Sequence, residues 1–306
     1  MKVDHYLKVD ANHEIAIYTQ GNPQNPAILF LHGGPGGHIT PASFDFFDLD
    51  KWFVIAFDQR GCGQSKPFAS LKDNTIMDAF NDIEKIRAYF GIERWTLFGG
   101  SYGSTLALYY AIHAADKVEH LVLRGIFLGR DEDIKWLYQE GASYFYPYEH
   151  ARFKAMIAPE KQNDLIQGYY EIFLSNDQER KRTAAKVWAD WESSLVHLIP
   201  KKLEQEISDS DISIALLECH YFAHKMFWDD DNYILAHHEK FKAIPMDIVH
   251  GRYDVDCRLS AAYQLVQAVE HGQLHIVEAS GHSPFEPEMK KKLRAITDGL
   301  VLKRSV

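Results

Sequence analysis

The sequence predicts a doubly wound α/β sheet with an inserted helical cap, and two features carry this prediction. Short, continuously apolar runs recur near both ends of the chain, and helical patterns lie between them. Runs this apolar suit parallel strands that are covered on both faces, and alternation of strands with helices is typical of α/β folds. The runs comprise residues 27–31, 52–57, 95–98, 121–123, 246–249 and 274–277.

The elements outside these runs are predicted by local signals. Two short alternating stretches, 6–9 and 14–19, predict an antiparallel hairpin at the start of the chain. The clearest helix has Asn74 as its predicted N-cap and Gly91 as its C-terminal stop. A second helix is predicted over 105–115, directly after the third apolar run.

The alternation stops in the middle of the chain. Between about residues 129 and 242 the periodicity is helical, and four of the six tryptophans lie there. We therefore predict a core formed by residues 1–128 and 243–306, with residues 129–242 as a helical cap subdomain.

Length and charge limit the functional classes. The 306 residues suffice for one large domain or for a core with an inserted subdomain, and an apolar fraction of 46% is ordinary for globular proteins. Asp and Glu total 43 against 33 Lys and Arg, which gives a formal net charge of -10. Because such a surface repels phosphate, we expect no nucleic-acid partner.

The cysteines and the apolar segments indicate the cellular compartment of the protein. Cys62, Cys219 and Cys257 are scattered and odd in number, which favours buried packing residues in a reducing compartment over disulfides or nucleophiles. The first six residues lack an apolar signal segment, and no apolar run approaches the 18 or so residues that span a bilayer. We expect a cytoplasmic protein with no membrane partner.

A candidate nucleophile lies between an apolar run and a helix. Gly99-Gly100-Ser101-Tyr102-Gly103 fits the pattern GxSxG, in which a serine occupies a sharp strand-to-helix turn that requires small neighbours. Its hydroxyl is expected at a helix N-terminus, which favours developing negative charge. The alternative interpretation is a glycine-rich turn without catalytic function.

A base and an acid are expected on later loops. In this chain order the acid and then the histidine follow the serine, each after a late strand. Asp254 and His282 meet that condition, with His282 as the base and Asp254 holding its tautomer. Asp256 is the rival for the acid, two residues further on. Their loops lie at the carboxyl edge of the sheet, where Ser101 is also expected.

A glycine-rich loop follows the first apolar run and supplies a candidate oxyanion hole. His32-Gly33-Gly34-Pro35-Gly36-Gly37 resembles an HGGG-type loop, where residues without side chains let amides approach an oxyanion. We expect the Gly34 amide, with Gly33 as the alternative, and the Tyr102 amide to be the donors. Neither a GxGxxG pattern nor a P-loop lysine is present in this loop.

Together these motifs resemble the proline iminopeptidases (prolyl aminopeptidases), serine peptidases of the α/β-hydrolase fold. The resemblance implies removal of N-terminal proline from peptides through an acyl-enzyme, without metal or organic cofactor. The segments that carry it are HGGPGG at 32–37, DQRGCGQS at 58–65, GGSYGSTLAL at 99–108, LRGIF at 123–127, HGRYD at 250–254 and SGHS at 280–283.

The cap carries two more matches. Trp191-Glu192 resembles the family's Trp-Glu-Gly segment, and Glu218-Cys219-His220-Tyr221-Phe222 resembles its Glu-Asn-His-Tyr-Phe. The resemblance implies that Glu192 and Glu218 bind the substrate's free amino terminus. A protonated N-terminal proline offers two N–H donors and one charge, which two carboxylates can satisfy. The alternative is that both glutamates are solvated helix residues.

The resemblance also implies an aromatic enclosure for the proline ring. Phe127 and Phe222 match the enclosing positions, and a role in core packing is the alternative for each. The chain departs from the family at several positions, which weakens the expectation of strict proline selectivity; they are His38, Tyr102, Leu137, Ser193 and Cys219. A broader aminopeptidase, an amidase or a carboxylesterase on the same triad is the alternative function, and a noncatalytic ligand-binding protein of the same fold is a minor one.

Overall fold

The apolar runs form the strands of one eight-stranded sheet in the computed structural model, which describes residues 1–304. The order across the sheet is β1-β2-β4-β3-β5-β6-β7-β8. The pairs β1–β2 and β2–β4 are antiparallel, and the remaining neighbours are parallel, which confirms the hairpin and the mostly parallel sheet. The strands are β1 (His5–Lys8), β2 (Glu14–Gln20), β3 (Ala27–Leu31), β4 (Phe53–Phe57), β5 (Trp95–Ser101), β6 (Val118–Ile126), β7 (Met246–Gly251) and β8 (Gly272–Val277).

The central strands are apolar throughout because helices and loops cover both faces of the sheet. Along β4, Phe53, Ile55 and Phe57 belong to one buried cluster, whereas Val54 and Ala56 belong to a second. Successive side chains of a strand point to opposite faces, so both faces of β4 are in apolar surroundings.

Ten α-helices accompany the sheet within residues 1–304. They are α1 (Ile76–Tyr89), α2 (Tyr102–His113), α3 (Asp131–Ile134), α4 (Pro147–Ala155), α5 (Leu165–Leu174), α6 (Gln178–Val196), α7 (Asp209–Ala223), α8 (Tyr233–Ala236), α9 (Leu259–Gln267) and α10 (Pro287–Arg304). None of the helices in this part of the chain combines the length and the apolar character that crossing a bilayer would require.

The N-cap of α1 differs from the prediction by one residue. Thr75 is the N-cap, since its hydroxyl accepts from the Asp78 amide at 3.2 Å and its own amide donates to the Asp78 carboxylate. The predicted residue, Asn74, uses its side-chain amide to hold the preceding loop through the carbonyls of Arg60 and Ser70. The prediction of Asn74 as the cap was therefore wrong.

The segment between β6 and β7 consists of helices and turns in the described chain. It contains α3 to α8, and α6 packs against α7. Helix α7 also contacts the glycine-rich loop after β3, because the Ser213 hydroxyl donates to the Gly36 carbonyl at 2.7 Å. The helical segment therefore lies above the carboxyl edge of the sheet, where the candidate site is found.

Candidate active site

Ser101 lies on the sharp turn between β5 and α2. Its backbone has φ of 56° and ψ of -130°, a conformation that residues with a side chain rarely adopt. The turn is closed by tight glycine contacts: a Cβ on Gly99 would lie 2.2 Å from the Gly103 carbonyl oxygen, and a Cβ on Gly103 would lie 2.2 Å from that of Leu31. The sequence therefore supports this strained turn with glycines, and the turn presents Ser101 at the sheet edge.

The structure brings Asp254 and His282 together on the loops that follow β7 and β8. Nδ1 of His282 lies 2.8 Å from Oδ2 of Asp254, and both side chains are buried. The rival acid, Asp256, has its Oδ2 3.9 Å from the other ring nitrogen, Nε2. The contact with Asp254 favours the tautomer in which Nδ1 carries the proton and Nε2 is the free base.

A third charged group contacts the imidazole. Nη1 of Arg124 lies 2.9 Å from Nε2 of His282 and donates to the His282 carbonyl at 2.8 Å. Burial lowers the pKa of His282 to about 4, and the Arg124 charge acts in the same direction while Asp256 opposes it. Within residues 1–304 no hydrogen bond joins Ser101 Oγ to His282, although both line the same cavity.

The glycine-rich loop after β3 lies against the candidate nucleophile. A Cβ placed on Gly33 would be 3.8 Å from Ser101 Oγ, and Gly33 and Gly34 both line the cavity. Tyr102 is the first residue of α2, so its amide has no acceptor within the helix. Backbone donors are therefore available on two sides of Ser101, and the choice of Gly34 over Gly33 stays a prediction.

Glu192 on α6 and Glu218 on α7 converge on one hydroxyl group. The Tyr138 hydroxyl lies 2.6 Å from Glu192 Oε1 and 3.1 Å from Glu218 Oε2. The indole of Trp188 also donates to Glu218 Oε2, at 2.6 Å. In the described chain the other oxygen of each carboxyl group has no hydrogen-bond donor. Each glutamate is thus held by one oxygen while its second oxygen remains available.

The electrostatics of this pair favour a bound cation. Burial raises the pKa of Glu218 to about 8, and burial together with the neighbouring Glu218 raises the pKa of Glu192 well above its usual range. Burial therefore favours protonated carboxyl groups, whereas a cation between them would favour carboxylates.

The candidate groups share a cavity of about 370 Å³. Ser101, His282, Arg124, Glu192 and Glu218 all line it. Its apolar wall is supplied by side chains that the sequence did not single out, and these are Phe30, Phe46, Phe98, Ala189, Val196, Ile214 and Phe285.

Phe127 and Phe222 are not among the residues that line this cavity in the described chain. Their rings are 5.7 Å apart, and Phe222 lies 5.4 Å from the ring of Tyr138. Phe222 follows Glu218 by one helical turn, and this position packs it into the buried aromatic cluster around Tyr138. In this structure the two rings pack behind the cavity wall, and a role in enclosing a substrate stays a prediction.

Three hydrogen bonds tie the histidine loop to the end of α6. The Val196 carbonyl accepts from the amides of His282 at 3.1 Å and Ser283 at 2.8 Å. The third bond is donated by the Leu198 amide to the Glu286 carboxylate at 2.7 Å. Within the loop, the same carboxylate also accepts from the Gly281 amide at 2.6 Å. The helix that carries Glu192 and the loop that carries His282 are thus fastened to each other.

The possible ligand atoms of one group of side chains lie close enough together to be considered for a metal ion, but their surroundings oppose a cation. Atoms of Asp256, Cys257 and His282 lie within 4.8 Å of one another. The Arg124 guanidinium already contacts His282, and burial raises the pKa of the Cys257 thiol, so the thiolate that a metal needs is disfavoured. Burial likewise raises the pKa of Cys62 and Cys219, which disfavours a nucleophilic role for either thiol.

Several residues of the site were not assigned a role from the sequence. Arg124 and Tyr138 lie in segments that were compared with the family, but nothing in those segments indicated what their polar groups contact. Trp188 was counted only among the tryptophans of the middle segment. The single available signal was that concentration of tryptophans, because a buried indole N–H requires an acceptor.

The chain is similar in sequence to one family model and to several curated proteins. Residues 26–288 match the family model described as alpha/beta hydrolase fold. The chain is 41% identical over 302 residues to a probable proline iminopeptidase of Leptolyngbya boryana, which covers 98% of this chain and 94% of the relative. It is also 41% identical over 295 residues to the proline iminopeptidase of Neisseria gonorrhoeae, covering 96% of this chain and 94% of the relative.

Solved structures share the fold at low sequence identity. VinJ matches with a TM-score of 0.62 and 16% identity, covering 99% of each chain. The esterase RhEst1 from Rhodococcus sp. ECU1013 matches with a TM-score of 0.61 and 18% identity, also covering 99% of each chain. These similarities concern the fold alone.

Proposed function

The chain belongs to the proline iminopeptidase family of the alpha/beta hydrolase fold, and on this basis we propose that it is a serine aminopeptidase that releases N-terminal proline from peptides. Its partner is a peptide substrate with a free N-terminus. The observation that carries the proposal is the convergence of Glu192 and Glu218 on the Tyr138 hydroxyl inside the cavity that Ser101 lines.

Recognition of the amino terminus follows from the two available carboxylate oxygens. A prolyl ammonium carries one positive charge and two N–H donors, so each donor can meet one oxygen of Glu192 or Glu218 in a charge-assisted bond. An internal proline has an uncharged amide nitrogen without N–H, and it would leave two buried acids without a cation. The two acids must then either stay protonated or carry an unpaired buried charge, so such a substrate gains no charge-assisted bond and free chain ends are selected.

The chemistry begins at Ser101. His282 Nε2 takes the hydroxyl proton while Oγ attacks the carbonyl carbon of the N-terminal residue, and the Asp254 carboxylate stabilises the resulting imidazolium. The carbonyl oxygen becomes an oxyanion, which the amides of Tyr102 and Gly34 stabilise.

The second half of the cycle returns the enzyme to its starting state. The imidazolium donates its proton to the leaving nitrogen, the C–N bond breaks, and the shortened peptide departs as an amine. Proline remains attached to Ser101 as an ester. Water then loses a proton to His282 and attacks this ester, which releases proline and restores the hydroxyl group.

The decisive experiment compares proline naphthylamide with its N-acetylated form. Acetylation removes the charge and the N–H donors but leaves the scissile bond unchanged, so we expect kcat/KM to fall at least about 100-fold. An equal rate on both substrates would contradict amine recognition and would favour an amidase or a carboxylesterase on the same triad. Labelling of Ser101 by a fluorophosphonate probe tests the nucleophile separately and would exclude a noncatalytic ligand-binding protein.

We also propose a cytoplasmic location. The three cysteines are free and buried, which suits a reducing compartment.

A further inference from the structure

A third buried acid lies in the cavity beside the two glutamates. Asp256 follows β7 on the loop that also carries Asp254, and it is 6% exposed. It lines the cavity together with Ser101, Glu192 and Glu218. The proposed triad does not use it, because His282 Nδ1 contacts Asp254.

The carboxyl group of Asp256 is incompletely paired. Its Oδ1 accepts a weak hydrogen bond from the Cys257 thiol at 3.4 Å. Its Oδ2 accepts no hydrogen bond from residues 1–304, and it lies 3.9 Å from Nε2 of the neutral His282 imidazole. No lysine or arginine of the described chain forms an ion pair with it within 4.0 Å. A buried acid in this state is costly unless a ligand supplies donors.

Counting donors and acceptors separates two classes of amine. The cavity offers three carboxyl oxygens without a protein donor, one each from Glu192, Glu218 and Asp256. A prolyl ammonium has only two N–H donors and leaves one oxygen unsatisfied. A primary ammonium has three and can satisfy all of them.

We infer that Asp256 is a specificity-determining residue whose Oδ2 accepts the third N–H of a primary α-ammonium group. This inference rests on the proposed aminopeptidase function and extends its substrate class to peptides that begin with small residues such as alanine. Asp256 also lies close enough to the glutamate pair for its charge to raise the pKa of both Glu192 and Glu218. Apolar wall residues such as Ala189, Val196 and Ile214 suit a small apolar side chain.

Three naphthylamides test the inference, namely those of proline, alanine and N-methylalanine. N-methylalanine has the carbon frame of alanine but, like proline, carries only two N–H donors. We expect the wild-type chain to cleave all three. In Asp256→Asn and Asp256→Ala, kcat/KM for alanine should fall about tenfold more than kcat/KM for the two secondary amines.

Two controls isolate the amine contact from other effects. Hydrolysis of a simple nitrophenyl ester reports on the triad, and thermal unfolding reports on the fold. Asp190→Asn is the matched charge control, because Asp190 pairs with Lys186 on α6 and does not line the cavity. It should leave the ratio of alanine to proline activity unchanged.

The outcomes are distinguishable. Equal losses on all three naphthylamides in the Asp256 variants would overturn the inference, as would cleavage of proline but not alanine by the wild-type chain. Failure of the wild-type chain to cleave proline naphthylamide would instead overturn the proposed function. If kcat/KM fell for the alanine and N-methylalanine substrates but not for the proline substrate, Asp256 would instead shape the pocket for the side chain. That result would also overturn the inference.

Discussion

Nη1 of Arg124 lies 2.9 Å from Nε2 of His282, so a guanidinium contacts the ring atom that is proposed to take the serine proton. A positive charge at this distance disfavours the imidazolium and keeps the base neutral. Arg124 also occupies the lone pair of Nε2 that must accept the Ser101 proton. We therefore expect the guanidinium to move away from Nε2 when the hydroxyl approaches. Arg124 therefore affects both the protonation and the availability of the base.

Replacing Arg124 should move the pH dependence of the triad. In Arg124→Met the imidazole loses a neighbouring positive charge, so the pKa of His282 should rise and the acidic limb of activity should shift to higher pH by about one unit. Hydrolysis of a nitrophenyl ester between pH 4 and 9 measures this without involving the amine site. An unchanged limb, in a variant whose thermal unfolding shows it to be folded, would contradict the role assigned to Arg124.

Removing the triad acid should nearly abolish turnover. Asp254→Asn would favour the wrong imidazole tautomer, and in the serine-protease template this change costs about 10⁴-fold in kcat. The loss should appear on the ester and on proline naphthylamide alike. Retention of more than about a tenth of wild-type turnover would show that Asp254 is not the triad acid.

Glu218→Gln should separate amine recognition from chemistry. The variant keeps the shape of the side chain but removes a charge that pairs with the substrate ammonium, so kcat/KM for proline naphthylamide should fall about 100-fold or more. Nitrophenyl ester hydrolysis should persist. Comparable losses on both substrates would point to a disturbed fold, and Asp190→Asn again serves as the charge control.

The two substrate types should also differ in pH dependence. Because burial raises the pKa of Glu218 to about 8, binding a cationic amine at neutral pH must displace a proton from the carboxyl pair. For proline naphthylamide, kcat/KM should therefore rise with pH towards 8 and fall once the substrate amine loses its proton. For the nitrophenyl ester, the acidic limb of the pH profile should follow the triad, because burial lowers the pKa of His282 to about 4. This limb should lie at least about one pH unit below the acidic limb for proline naphthylamide. Acidic limbs at the same pH for the two substrates would contradict the assignment of one limb to the glutamate pair and the other to His282.

The strands and the loops after them could be predicted because a strand that is buried on both faces is apolar at nearly every position of its sequence. Runs such as 27–31 and 246–249 are apolar throughout, and the chain order of serine, acid and histidine then identifies the loops at the carboxyl edge. From the sequence alone, His282 would be assigned the reference imidazole pKa of about 6.5. Burial and Arg124 lower that pKa, and neither effect can be derived without coordinates.

The interior of the helical segment between β6 and β7 was less predictable. Phe127 and Phe222 matched family positions, yet side-chain direction decides whether a ring faces a cavity or the core behind it. Tyr138 and Trp188 donate to the glutamates across helices that are distant in sequence. Periodicity identifies an apolar helix face, but it does not identify the acceptor that a particular hydroxyl or indole reaches.

The three hydrogen bonds between the end of α6 and the histidine loop limit how a peptide can enter. If α6 swings outward, it must either pull the loop of His282 away from Asp254 or break the bonds to Val196 and Glu286. In the first case the opened protein loses the contact between His282 and Asp254 and is inactive. In the second case it keeps that contact but loses the bonds that hold the histidine loop against α6. The closed arrangement is the one in which the triad contact and these bonds are all intact, so we expect cleavage to be fastest there.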